Sequence, residues 1–195
     1  MSLLDQIPEY KQAAEQERAN RELAFCGLPI PVCGLLSNVL TPRLYVRLWG
    51  CENAFVCGRD PSSEDIAMFL WFISLDYSLD AGERHRFVKH RAAKLHTAEA
   101  IRGIYGYLVM CFQDAPRGES DAEGMQKSYT SGIAAIVDIL AGEYGWGDKD
   151  ILDMPLPRIY QYLRRIQMRR RPDLPIINGS DAVIGKWLQE RNTAQ

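Results

Sequence analysis

The amino-acid sequence predicts an all-α protein, a compact multi-helix bundle. Three observations carry this. Apolar residues recur at three- and four-residue spacing along most of the chain. The period-two alternation and Val-Ile-Thr-rich runs of a sheet are nearly absent. Cap residues, prolines and glycines fall where such helices would start and stop. The composition, 47% hydrophobic and 25% charged over 195 residues, is that of a globular chain long enough to bury a core without staples. A net charge of -2 gives no general pull towards nucleic acid or a membrane surface.

Pro8 to Phe25 is rich in Glu, Gln, Ala and Arg, strong helix formers, but its apolar face (Ala13, Ala14, Leu23, Phe25) is thin. It reads as a solvated helix or as an arm that packs on a partner. Gly27 to Gly34 holds two prolines between two glycines, which excludes regular helix and predicts a loop or extended strip. A helix is expected over Leu35–Leu40. Thr41-Pro42 then supplies a cap and a first-position proline for a helix that ends at Gly50, with Leu44, Tyr45, Leu48 and Trp49 on one apolar face. Cys51–Cys57 is expected as a short extended piece. Asp60-Pro61-Ser62-Ser63-Glu64-Asp65 is the best helix start in the chain. The run that follows, Ile66 to Ile73, is apolar on nearly every face and belongs at the centre of the fold.

Ala81–Leu95 predicts a strongly basic helix with a thin apolar stripe of Phe87, Val88 and Leu95, either a solvated face or a contact for an acidic partner or a nucleic acid. Thr97 to Phe112 predicts another helix, with Ile101, Ile104, Tyr105, Leu108 and Cys111 inward. Its Gly103 and Gly106 weaken it or admit a close neighbour. Residues 114–126 are polar, carry Pro116, Gly118 and Gly124, and read as a linker. Lys127–Tyr144 is expected as a helix, with Asp148 capping a short one through Leu152. Pro155 or Pro157 opens a longer helix that ends in Arg164, Arg165, Arg169, Arg170 and Arg171, cations that suit a helix C-terminus. Ala182–Gln189 is a last amphipathic helix, with Val183, Ile184, Trp187 and Leu188. The organisation is thus an arm (1–26), a central core (27–113), a linker (114–126) and a C-terminal helical subdomain (127–195).

The chemistry-bearing patterns are missing. There is no phosphate-binding glycine loop and no G-x-S-x-G. The five cysteines form no C-x-x-C, and their odd number fits free thiols. His85, His90 and His96 lie among cations that repel a metal ion and give no H-E-x-x-H. Asp148, Asp150 and Asp153 lack the glycine and glutamate of a calcium loop and read as helix caps. The expectation is a chain with no catalytic residue, cofactor or metal. The N-terminus turns charged too early for a cleavable signal, and no uncharged apolar run approaches about 20 residues, so a cytoplasmic chain without a membrane partner is expected. One electrostatic feature stands out. The basic helix Arg158–Arg171, with Tyr160 and Tyr162, has the means to bind phosphates and stack on bases, so a DNA-binding or regulatory role is the alternative reading. Its arginines, however, sit at the end of the helix, whereas recognition helices read bases from their start.

The stretch from Glu143-Tyr-Gly-Trp-Gly-Asp through Ile151-Leu-Asp-Met-Pro-Leu-Pro to Arg164 has a Gly-Trp, a polar pair, an Ile-Leu and a Pro-Leu opening the last long helix. This resembles the C-terminal part of tailed-phage tail assembly chaperones. Glu64-Asp-Ile-Ala-Met-Phe-Leu-Trp-Phe-Ile-Ser is similar to a mid-chain helix of small phage morphogenesis proteins. The matching residues are Trp146, Ile151, Leu152, Pro155, Leu156, Ile159 and Leu163. The resemblance covers about a third of the chain, and the Gly-Leu-Pro-Ile-Pro strip and polar linker depart from the pattern. It implies a non-enzymatic role: binding tape-measure helices during virion morphogenesis and recruiting tail-tube subunits, in the host cytoplasm if the gene belongs to a phage. Protein partners, or further copies of the chain, are expected to meet Trp146, Ile151, Leu156, Tyr160, Arg164, Arg165 and Trp187.

Overall fold

A computed structural model describes residues 8–91, 95, 97–115 and 131–170, without the side chains of residues 8–14, 16 and 17. The described residues form nine helices and one two-stranded hairpin. In order these are α1 (Pro8–Cys26), β1 (Ile30–Val32), β2 (Leu35–Ser37), α2 (Pro42–Gly50), α3 (Ala54–Cys57), α4 (Ser63–Ile73), α5 (Ala81–His90), α6 (Thr97–Phe112), α7 (Gly132–Tyr144), α8 (Asp148–Leu152) and α9 (Leu156–Arg170). No helix among the described residues is long and apolar enough to cross a membrane. The expected linker beyond Ala115, residues 127–130 of the expected seventh helix, and the helix at Ala182–Gln189 lie outside the described residues.

The central position of α4 follows from its sequence. Phe69, Leu70 and Ile73 are wholly buried, each contributing about 1.5–3 kcal/mol of transfer free energy. Phe69 meets Phe55 of α3 at 5.3 Å and Tyr107 of α6 at 6.0 Å, while Trp71 meets Phe87 of α5 at 5.3 Å. The helix starts in a capping box. Ser62 Oγ accepts from Asp65 N (3.2 Å), and the Asp65 carboxylate accepts from Ser62 N (3.0 Å) and from Ala54 N (2.9 Å). One carboxylate thus caps α4 and ties α3 to it.

Two expectations over the first sixty residues are corrected. Leu35–Ser37 is not helix. It pairs antiparallel with Ile30–Val32, with Ile30 opposite Ser37 and Val32 opposite Leu35. The two turn residues, Cys33 (φ 51) and Gly34 (φ 76), both lie in the left-handed region, as a two-residue hairpin turn requires. The hairpin is then anchored to the end of α4: Asn38 N donates to Ile73 O (2.6 Å) and Asn38 Nδ2 to Ser74 O (2.9 Å). Residues 51–57, expected as extended, are a turn followed by α3. The cause is Asn53, whose side chain accepts from Phe55 N (3.2 Å) and donates to Asp65 O (2.9 Å), so that this buried amide is satisfied on both sides. Thr41 caps α2 as expected, with its side chain accepting from Leu44 N. Asp148, expected as the cap of α8, stands inside its first turn, and Gly147 holds the cap position.

The last long helix packs against α1, α6 and α7. Leu156 N donates to Leu40 O (2.8 Å), and Arg43 pairs with Asp153 at 2.5 Å, so α8 and α9 are fastened to the start of α2. Leu48, Ile104, Leu140 and Ile159 belong to one hydrophobic cluster that spans both halves of the chain.

Candidate interaction surface

Gly145 (φ 69) closes α7 and aims the chain back along α9. Trp146 stacks on Tyr144 (4.6 Å) and meets Tyr162 edge-on (5.0 Å), and Tyr162 in turn reaches Phe25 of α1 (6.0 Å). The seven residues expected to meet a partner therefore separate. Ile151, Leu156 and Tyr160 are buried in the chain's own core. Trp146 is half-buried in the aromatic cluster. Arg165 is exposed, while Arg164 is partly buried against Asp114. Trp187 lies outside the described residues.

Most of the arginines of α9 have partners within the chain. Arg158 Nε donates to Phe25 O (2.7 Å) and its guanidinium lies over the Phe25 ring. Arg164 pairs with Asp114 at 3.3 Å, where the carboxylate side chain is only 7% exposed. Arg169 and Arg170 both hold Glu143, and Arg169 also donates to Tyr144 Oη (3.3 Å). The charge that looked available in the sequence is largely balanced in place. On α5, Arg84 and Lys89 are exposed and Arg91 pairs with Asp76 at 2.8 Å. The notch beside it, about 490 Å³, has Trp71 and Phe87 in its wall and both signs of charge at its rim. Among the described residues, no three His, Cys, Asp or Glu side chains are grouped to hold a metal ion. Burial pushes the Cys111 thiol up to about 12, which suits a packed, unreactive sulfur.

The surface that sequence reasoning missed is apolar. Helical spacing puts Trp49 on one apolar face with Leu44, Tyr45 and Leu48. Leu48 is buried, but Trp49 stands 62% exposed, with Val46 one turn before it also exposed. The loop after α4 lies against the same helix, since Arg47 Nη1 donates to Tyr77 Oη at 2.8 Å. That loop carries Leu75, also exposed, and Leu79, which is 82% exposed. Tyr105, expected inward, is exposed on α6 while its ring meets Phe55 edge-to-face at 5.3 Å. The available signal is the count of apolar positions on α2: five, Leu44, Tyr45, Val46, Leu48 and Trp49, on a nine-residue helix are more than one buried stripe needs.

A second apolar feature is a groove of about 520 Å³ between Asn20 of α1, strand β1 and the outer side of α6. Gly103, Gly106, Val109 and Met110 line it along α6. At Gly103 the hairpin comes so close that an added Cβ would lie 2.7 Å from Cys33 Sγ, whereas at Gly106 no atom of the described residues lies within 4 Å of such a Cβ. Pro31, in the middle of β1, has no N–H to offer an incoming strand. The groove is therefore shaped for side chains, as a helix presents them, rather than for an added strand. No family model, curated protein or solved structure matches the chain.

Proposed function

We propose that the chain is a non-enzymatic helical assembly factor of a tailed phage or prophage, a tail assembly chaperone that binds the tape-measure protein and tail-tube subunits. The observation that carries the reading is the exposure, among the described residues, of Trp49 and Val46 on α2 and of Leu75 and Leu79 in the loop that Tyr77 ties to it. Large exposed apolar side chains grouped on one face mark protein contacts, and tryptophan is the commonest anchor of such contacts. The resemblance of Glu143–Arg164 supplies the partner class. In this reading the motif residues Ile151 and Leu156, with Tyr160 beside them, build the body, and α2 with its neighbouring loop presents the contact.

The test is co-expression with the tape-measure and tail-tube proteins of the same genome. The expected result is a complex that survives nuclease and keeps the tape-measure protein in the supernatant. Loss of the complex on nuclease treatment, with salt-dependent retention on DNA in its place, would favour the nucleic-acid alternative.

A further inference from the structure

Two rows run along the outer side of α2. A helix turns about 100° per residue, so Val46 and Trp49 form one row, at i and i+3, and Arg43 and Arg47 form another beside it, at i and i+4. The first row is exposed among the described residues. The second is held from two sides. Arg43 pairs with Asp153, at the end of α8, at 2.5 Å, and Arg47 Nη1 donates to Tyr77 Oη at 2.8 Å. Lys149, exposed on α8, precedes Asp153 by one turn. The hydrogen bond and charge of Arg43, with the charges of Lys149 and Arg47, outweigh burial and hold the Asp153 carboxyl below its ordinary value of 3.8. Asp148 and Asp150, in the first turn of α8, lie about 100° to either side of Lys149. Three cations thus share one carboxylate, and the apolar row is bordered by an excess of positive charge.

Resting on the assignment of α2 as the partner surface, we propose that this surface takes an amphipathic helix of the partner with acidic residues along one edge. The apolar stripe of that helix covers Val46 and Trp49, and its Asp or Glu side chains face Arg43, Arg47 and Lys149. A helix presents apolar and charged side chains in adjacent rows at the three- and four-residue spacing of α2 itself, which an extended strand does not. Exposed ion pairs of this kind add little affinity each and act chiefly on which partner, and which register, is accepted.

The test is selection, against the full chain, from a displayed library of amphipathic helices of about 20 residues, long enough to fold. All members carry the same leucine stripe, with Glu, Gln or Lys at the positions beside it. Glu should be enriched over Lys on one edge by about two- to fivefold per position at low salt, and the preference should fade at about 1 M salt, where the screening length is about 3 Å. Lys149→Glu should weaken the preference, and Asp153→Asn, which removes the shared carboxylate, should strengthen it. Damage to the contact between α2 and α8 would move both variants the same way, so opposite shifts identify the charge. Capture that Trp49→Asp abolishes but that shows no preference for Glu overturns the inference and leaves the surface assignment standing. So does a preference that both variants leave unchanged or move in the same direction. Capture indifferent to Trp49→Asp overturns the surface assignment and the inference with it. No capture by the wild type overturns the inference, and co-expression then judges the surface by itself.

Discussion

Replacing Gly103 with alanine tests how the hairpin is seated on α6. In an exposed helix the change would stabilise by about 0.8–1 kcal/mol through backbone propensity. Here the new Cβ would lie 2.7 Å from Cys33 Sγ, about 1 Å inside ordinary van der Waals contact. The sulfur has little freedom to retreat, because Cys33 is held at φ 51 in a two-residue turn and its thiol donates to Ala100 O at 3.5 Å. Overpacking of this kind costs about 1–3 kcal/mol, so Gly103→Ala should destabilise by about 1 kcal/mol net. Cys33→Gly removes the sulfur and also the left-handed penalty, about 1 kcal/mol, of a side chain at that φ. In the Gly103→Ala background it should therefore restore stability. Urea unfolding followed by circular dichroism and by tryptophan fluorescence measures all four proteins. A Gly103→Ala variant more stable than the wild type would refute the reasoning. So would two substitutions that add to within about 0.5 kcal/mol.

Three further outcomes are expected. For Asp65, burial alone would raise the carboxyl, but hydrogen bonds from Ser62 and Ala54 N and the nearby Arg59 charge outweigh it and hold it below its ordinary value of 3.8. Its contribution is then complete above that value and lost as pH falls through the lower folded one; Asp65→Asn should flatten the stability-versus-pH slope below about pH 4, and an unchanged slope contradicts the assignment. In thiol labelling of the native chain, Cys26, Cys51 and Cys57 should react first, Cys33 more slowly because burial raises its thiol, and Cys111 only on unfolding; early modification of Cys111, read by peptide mass spectrometry, would place it wrongly. Asp114→Ala leaves the partly buried Arg164 without its carboxylate and should cost about 1–3 kcal/mol in urea unfolding, whereas Arg165→Ala, at an exposed site, should change stability by less than about 0.5 kcal/mol.

The helices were legible wherever a cap and a stripe coincide. Thr41-Pro42 and the apolar Ile66–Ile73 run are examples, and in both the local signal and the packed structure agree. Leu35–Leu40 misled because two leucines beside a polar pair suit a helix. The left-handed pair Cys33-Gly34 and the contacts of Asn38 with the end of α4 decide otherwise, and those contacts are some 35 positions away in sequence. Residues 51–57, expected as a short extended piece, misled for a related reason: nothing in the linear pattern shows that the Asn53 side chain both caps α3 and reaches Asp65 O. The arginines of α9 were visible, but their partners, the Phe25 carbonyl, Asp114 and Glu143, were not, because nothing in a linear pattern matches a cation to an acceptor 26 to 133 positions away. Trp49 was visible as apolar and misplaced, since spacing on a nine-residue helix does not tell a buried tryptophan from an exposed one.

The measurement that bears most directly on the account is the footprint of the partner on the chain. In a complex with the tape-measure protein, hydrogen exchange should slow at residues 46–49 and 75–79, and the paired change Trp49→Asp with Leu79→Asp should abolish the complex while leaving the chain's own unfolding midpoint within a few degrees of the wild type. Protection confined to α9, or a complex indifferent to both substitutions, would contradict it.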